Sequence, residues 1–380
     1  LYSDANSIYV PCNMTVDSET FPHQVGIRYK GSVGSLSSFV DNNGNKISNK
    51  LSLKLKFSEY NADAKFHGLK RLNIHGMMRD PSLMRERLSY SLYNEFGIAS
   101  PRAVHCKIYI NGIFMGIYLA VEQIDGRFTR SRFTDGGEGN LYKETWPQYE
   151  TIDPYIAALT TNEDDNPDVS RFVDFTQELK TNTTEATLDK YTFMKSLIKM
   201  NVVDQAVINW DGASCFRLYG DWETAQYNHN LYWYEEGVDG GSRIENGKFC
   251  LIPWDVDLSL NVIDGFTTIM PPWNSTDFTP VQLYDLWWQR SASWDNVYKV
   301  LSTDLMQQYN LQRTTFFNDH FRYDLVSQKV NKWKLQINDI LLNDTNYPET
   351  YGYWPPSSPV NSFDNHIEYL LQQLSNLTTI

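Results

Sequence analysis

His229-Asn230-Leu231-Tyr232-Trp233-Tyr234 and, further along, Lys248-Phe249-Cys250-Leu251-Ile252-Pro253-Trp254-Asp255-Val256-Asp257 are the stretches on which the reading of this chain turns. Leu231 to Tyr234 and Phe249 to Ile252 are short aromatic and aliphatic runs, and they read as a pair of buried strands. An amide, Asn230, stands at the start of the first strand. A carboxylate, Asp255, follows the second. Carboxylate and amide oxygens are what a small, hard cation such as magnesium takes as ligands. Upstream, Asn209-Trp210-Asp211-Gly212 sits just after a helical pattern over residues 188–207, carried by Leu188, Tyr191, Met194, Leu197, Met200 and Val203. A carboxylate there, Asp211, is placed to orient an attacking hydroxyl. In that order, Asp, Asn and Asp fit the metal site of a phosphotransferase.

Towards the N-terminus the pattern turns to strands. Residues 24–30 alternate, a small flexible segment runs from Gly31 through Gly34 to Ser38, and a second strand follows with Leu51, Leu53, Leu55 and Phe57 on one face. Its other face carries Lys50, Ser52, Lys54 and Lys56. Residues 71–75 predict a third strand. Asp80-Pro81 predicts a helix start, and the helix is expected to run to about Phe96 and close at Gly97. Val104 to Ile110, Asn111-Gly112 and Ile113 to Glu122 predict a hairpin, since Asn-Gly favours the tight turn that joins two antiparallel strands. Beyond it, helical patterns return between roughly 294 and 342 and over 362–376. The expectation is an α+β, protein-kinase-like, two-lobed fold: a β-rich lobe with one helix over residues 1–124 and a larger, mainly helical lobe over 125–380.

Phosphoryl transfer also needs a loop over the phosphates and a cation to hold them. Gly31 and Gly34 lie in the candidate loop, and Lys54 or Lys56 is the candidate cation. Glu86, on the helix after the third strand, is the candidate partner of that lysine, with Arg85 beside it. Glu122, at the end of the hairpin, is expected at the nucleotide. Each has an ordinary alternative: a turn of small residues, a solvated strand lysine, a surface glutamate.

Composition narrows the class. With 41% hydrophobic and 21% charged residues the chain is globular rather than disordered. A net charge of −13 argues against a nucleic-acid partner, because a polyanion is repelled. No apolar run reaches the roughly 18–20 residues that cross a bilayer. The chain begins at Leu1, so any leader is expected to have been removed. Sequons at Asn13, Asn182, Asn274, Asn343 and Asn376 and an even count of cysteines (Cys12, Cys106, Cys215, Cys250) predict a secreted or cell-surface glycoprotein with two disulfides. No Cys-X-X-Cys pair is present, which argues against zinc.

Together, Lys50 to Phe57, Met84-Arg85-Glu86-Arg87-Leu88, Val104 to Glu122, Gly139-Asn140-Leu141-Tyr142-Lys143, Asn209 to Gly212, His229-Asn230 and Ile252 to Asp255 resemble the CotH family, over roughly residues 24–345. The resemblance implies a kinase-like fold and ATP-dependent phosphorylation of proteins in a secretory, spore or cell-surface setting, with Mg2+ or Mn2+. It makes Asp211 the catalytic Asp, and Asn230 and Asp255 the metal ligands. Lys54 becomes the phosphate-binding lysine, with Lys56 next in register. Two departures stand out. The family's Asn follows its Asp after about five residues, as in kinases, whereas Asn230 follows Asp211 after 19, with residues 213–228 as an insert. Asn228 is an alternative ligand, and a Cys215–Cys250 disulfide could tie the insert down. The family's Arg-Gly-Asn-Ser reads Lys30-Gly31-Ser32-Val33 here. The alternative function is a non-catalytic adhesin or invasin with a host-cell receptor as partner, for which Trp287 and Trp288 are the candidate contacts.

Overall fold

The computed structural model describes residues 8–31, 50–163, 167–209, 212–213, 230–237, 244–260, 297, 300–301, 303–341, 343–347 and 363–378. Gly34, Asp211, Cys215, Asn228, Asn274, Trp287 and Trp288 lie outside them.

Three strands at the N-terminus are short: β1 (Val10–Cys12), β2 (Thr15–Val16) and β3 (Glu19–Thr20). The next five are β4 (Val25–Tyr29), β5 (Leu53–Lys56), β6 (Arg71–His75), β7 (Ala103–Ile110) and β8 (Ile113–Glu122). With β1 they form a six-stranded sheet in the order β1-β4-β5-β6-β8-β7, antiparallel throughout. The hairpin expected at Asn111-Gly112 is present, with φ of 51° and 78° at the two turn residues. Both angles are positive, which Asn and Gly tolerate and a β-branched residue does not.

Helix α1 (Arg85–Glu95) begins later than Asp80-Pro81 suggested. Asp80 does cap it, but at a distance: its carboxylate accepts from Ser82 N at 3.0 Å and from Arg85 N at 2.8 Å. A turn with Leu83 at φ 58° fills the gap. The helix ends at Phe96-Gly97, as expected.

A second sheet has the order β11-β10-β9, built from β9 (Asn140–Lys143), β10 (Leu231–Glu235) and β11 (Phe249–Pro253). The remaining helices are α2 (Gly126–Arg130), α3 (Asp153–Ala157), α4 (Ser170–Thr181), α5 (Glu185–Tyr191), α6 (Met194–Ala206), α7 (Met306–Asp319), α8 (Tyr323–Leu341) and α9 (Phe363–Thr378), of which α6 packs on β11 and α8 on β8. The single helix expected over 188–207 is two, α5 and α6. Thr192 is extended and bridges to Phe249, and Phe193 N donates to Phe249 O at 3.0 Å, so β11 breaks the helical run.

The fold is therefore mixed helix and sheet. One apolar core runs from α1 and β8 (Leu88, Leu92, Ile117, Leu119) through β10 and β11 (Trp233, Ile252) to α7, α8 and α9 (Phe316, Val330, Leu370). A smaller one, around Phe21, Val25 and Phe57, underlies the β1–β4–β5 end of the first sheet.

Among the described residues the expected disulfides are not found: Cys12, Cys106 and Cys250 are free thiols. The topology explains the first two. Cys12 is on β1 and Cys106 on β7, the opposite edges of the six-stranded sheet. At about 4.8 Å per strand the edges are roughly 24 Å apart, against a limit of about 7 Å for a bridge. Cys250 is buried in the second sheet, and burial pushes its thiol up to about 12. The sequon asparagines Asn13, Asn182, Asn343 and Asn376 are exposed. Among the described residues no helix is long and apolar enough to cross a membrane.

Candidate functional site

The pairing of β10 with β11 sets the site. Leu231 lies opposite Pro253, so Asn230 and Trp254 flank each other at the open end of the pair, and Trp254 N donates to Asn230 O at 2.9 Å. Asp255 is the next residue. Both Asn230 (φ 60°) and Asp255 (φ 52°) adopt the left-handed conformation. That is uncommon for residues other than glycine and is tolerated where the surroundings impose it, often at functional sites.

Helix α1 supplies those surroundings. Asp255 N donates to Tyr90 Oη at 3.0 Å, and Ser89 Oγ bonds Ser259 Oγ at 2.6 Å across the turn that follows. One turn further, Tyr93 Oη donates to Asp204 Oδ1 at 2.7 Å. The same oxygen accepts from Asn209 Nδ2 at 2.7 Å. These two bonds hold Asn209 against α6. Gly212, just beyond, leaves no room for a side chain: an added Cβ would stand 2.1 Å from Asn209 Nδ2.

Glu86, also on α1, turns into the site, while Arg85 turns to Asp80 with Nε 3.6 Å from its carboxylate. The Glu86 carboxylate meets His75 Nδ1 at 2.8 Å, and His75 Nε2 meets Lys30 Nζ at 2.6 Å. Lys30 also lies over the Trp254 ring, 5.2 Å from its centroid. His75, Glu86 and Asp255 each present one ligand atom within 4.8 Å of the others, a grouping able to hold a metal ion.

Electrostatics bind these groups into one unit. Burial pushes the Glu86 carboxyl well up, Asp255 pushes it further, and Lys30 opposes both. Burial lowers the Lys30 ammonium, against the pull of Asp255 and Glu86. Burial and the Lys30 charge lower His75 to about 3, so its ring is neutral at ordinary pH.

The other expected residues fall in different places. Lys54 is on the same sheet face, where burial and the charges of Lys30, Arg71, Arg28 and Lys143 lower it to about 7. Lys56 bonds Glu59 at 2.6 Å and stacks over Tyr9, away from the cluster. Gly31 follows Lys30 directly, at φ 124°. Glu122 is buried between two arginines, 2.9 Å from Arg102 and 2.5 Å from Arg132. Burial alone would raise its carboxyl, but the arginines hold it below the usual range.

Sequence reasoning missed Lys30 and His75. The available signal was slight: a histidine closing an otherwise ordinary strand, and a lysine immediately before the glycine segment.

The sequence pattern described as CotH kinase protein matches residues 27–376. The chain belongs to the CotH family. It is similar to inner spore coat protein H of Bacillus subtilis (strain 168), 28% identical over 202 residues, which make up 50% of this chain and 50% of that protein. The chain thus spans about half the length of this curated relative. Of the stretches that carry the CotH resemblance, Gly139 to Lys143 serves packing. Asn140 Nδ2 donates to Tyr142 Oη at 3.1 Å and to Glu235 Oε2 at 3.3 Å inside the second sheet. Helix α1, which carries the Met84 to Leu88 stretch, meets the Ile252 to Asp255 stretch through Tyr90 and Asp255, and that stretch in turn meets Asn230 through Trp254.

Proposed function

We propose that the chain is a metal-dependent protein kinase with a kinase-like, two-lobed arrangement, transferring the γ-phosphate of ATP to a protein hydroxyl. The observation that carries this reading is the meeting of Asn230 and Asp255 at one end of the β10–β11 pair, against the Lys30–His75–Glu86 cluster. The donor set suits the cation. Asn230 and Asp255 offer hard oxygens, as Mg2+ or Mn2+ requires. Burial and the Asp255 charge both push the Glu86 carboxyl up, a cost that a cation between them relieves.

Bound by Asn230 and Asp255, a divalent ion would neutralise the charge on the β- and γ-phosphate oxygens. A lysine of the first sheet holds the same phosphates from the other side, with Gly31 and Gly34 in the segment that covers them. Asp211 orients the acceptor hydroxyl and takes its proton as the oxygen attacks the γ-phosphorus and the bond to the bridging oxygen of ADP breaks.

The name of the Bacillus relative and the exposed sequon asparagines support a spore-coat, secreted or cell-surface setting, with proteins of that setting as substrates. The test is transfer of labelled phosphate from ATP, with Mg2+ or Mn2+, to the chain itself and to casein-like acceptors. Wild type is expected to label and Asp255→Ala to fail. Absence of label, together with no ATP-dependent rise in melting temperature, would reject the kinase in favour of a binding protein.

A further inference from the structure

The first sheet places Lys30 by its register. Lys30 N donates to Ser52 O at 2.9 Å, extending the β4–β5 ladder by one residue beyond Tyr29 opposite Leu53. Continuing the β5–β6 register beyond Leu53 opposite Ile74 sets Ser52 opposite His75. Lys30, Ser52 and His75 therefore form one row across three strands, with Arg28, Lys54 and Asn73 as the next row on the same face. Neighbouring strands are about 4.8 Å apart, so Lys30 must cross a whole strand to reach His75. It can, because the residue between them is a serine, whose hydroxyl is drawn down to accept from Gly76 N at 2.9 Å.

We propose that Lys30, rather than Lys54 or Lys56, is the cation that holds the nucleotide phosphates, and that His75 positions it by linking it to Glu86. This rests on the phosphotransferase reading above. Lys30 would touch the phosphates; His75 and Glu86 are positioning residues.

The hydrogen bonds fix the form of the ring. A neutral imidazole has one N–H and one lone pair. Nδ1–H donates to the Glu86 carboxylate at 2.8 Å, and Nε2 accepts from the Lys30 ammonium at 2.6 Å. An imidazolium could not accept from Lys30. With both ring nitrogens engaged, His75 has no lone pair for a metal, which leaves the oxygens of Glu86 and Asp255 in that grouping, beside Asn230.

The competing lysines are worse placed. The charged neighbours that shift Lys54 are all cations, and Lys56 is held by Glu59. Lys50 is buried against Asp344. Lys30 has three carboxylates, Asp255, Glu86 and Asp257, acting on it, with the Lys143 charge opposing them.

The experiment measures ATP affinity with Mg2+ by calorimetry on the full chain, and the protonation of the His75 ring by nitrogen-15 NMR without nucleotide. Lys30→Met is expected to weaken ATP about 10- to 100-fold, the loss of one charge-assisted hydrogen bond. Lys54→Met should lose less, and Lys56→Met should match wild type. His75→Leu should resemble Lys30→Met. His75→Gln, which keeps a donor and an acceptor, should recover most of the affinity, as should Lys30→Arg. Ser52→Leu, by blocking the crossing, should weaken ATP without touching either partner. NMR should find the single ring proton on Nδ1. Lys30→Met binding as wild type, or the proton residing on Nε2, would overturn the proposal while Asp255→Ala still abolished binding. Failure of wild type itself to bind ATP with Mg2+ would instead remove the phosphotransferase reading, and this role with it. The two conservative variants, Lys30→Arg and His75→Gln, decide the matter should the harsher ones not fold.

Discussion

The Tyr90 hydroxyl accepts the backbone N–H of Asp255 at 3.0 Å, from a side chain that is 1% exposed. One helix thus carries both Glu86, which faces His75, and the phenol that holds the Asp255 turn. Any movement of α1 shifts both halves of the site together. A buried N–H without an acceptor is costly, so the left-handed turn at Asp255 depends on this phenol.

Tyr90→Phe is therefore expected to lower stability by about 1 kcal/mol and, as the sharper effect, to reduce metal affinity severalfold by freeing the Asp255 turn. Urea melts and metal titration followed by calorimetry measure the two. Unchanged metal affinity would separate Tyr90 from the site.

A second buried link joins the first sheet to the turn after α8. Lys50 Nζ lies 3.4 Å from Asp344 Oδ2, both side chains fully buried, and the same oxygen accepts from Ile117 N at 3.0 Å. Removing one member strands a charge in the interior. Asp344→Ala is expected to cost about 3–5 kcal/mol in chemical unfolding, whereas Lys50→Met together with Asp344→Asn should cost clearly less. Equal losses in the single and the double variant would show that the pair contributes nothing as a pair.

The third prediction concerns acid. His105 Nε2 donates to Leu83 O at 2.6 Å, while its Nδ1 accepts from Arg87 at 2.9 Å. Burial and the Arg87 charge lower its ring to about 4. In the unfolded chain the ring titrates near 6.5, so between those values the unfolded state binds the extra proton. This contribution to stability is complete above about 6.5 and is lost as pH falls towards 4. His105→Gln should flatten the stability profile between pH 6.5 and 4 relative to wild type, by on the order of 2 kcal/mol. An unchanged slope would place the acid lability elsewhere.

The sequence alone determined the local elements and the ends of the site. Alternation located β4, β5 and β6; Asn111-Gly112 located the hairpin; and two aromatic runs located β10 and β11 with Asn230 and Asp255 at their ends. Those signals are local, since the side-chain period of a strand and the positive φ of a turn are written within a few residues. Three features needed the assembled chain. Thr192 interrupts a good helical pattern only because β11 comes alongside it. Cys12, Cys106 and Cys250 are free, and the first two stand on opposite edges of one sheet, an arrangement that spacing along the chain does not encode. Lysines at 30, 50, 54 and 56 look alike in sequence, yet one meets His75, one Asp344 and one Glu59. Which lysine enters the site follows from strand order and register, and from a serine at position 52 small enough to be crossed. Those are properties of neighbours in space, set when the sheet closes, and no window of sequence contains them.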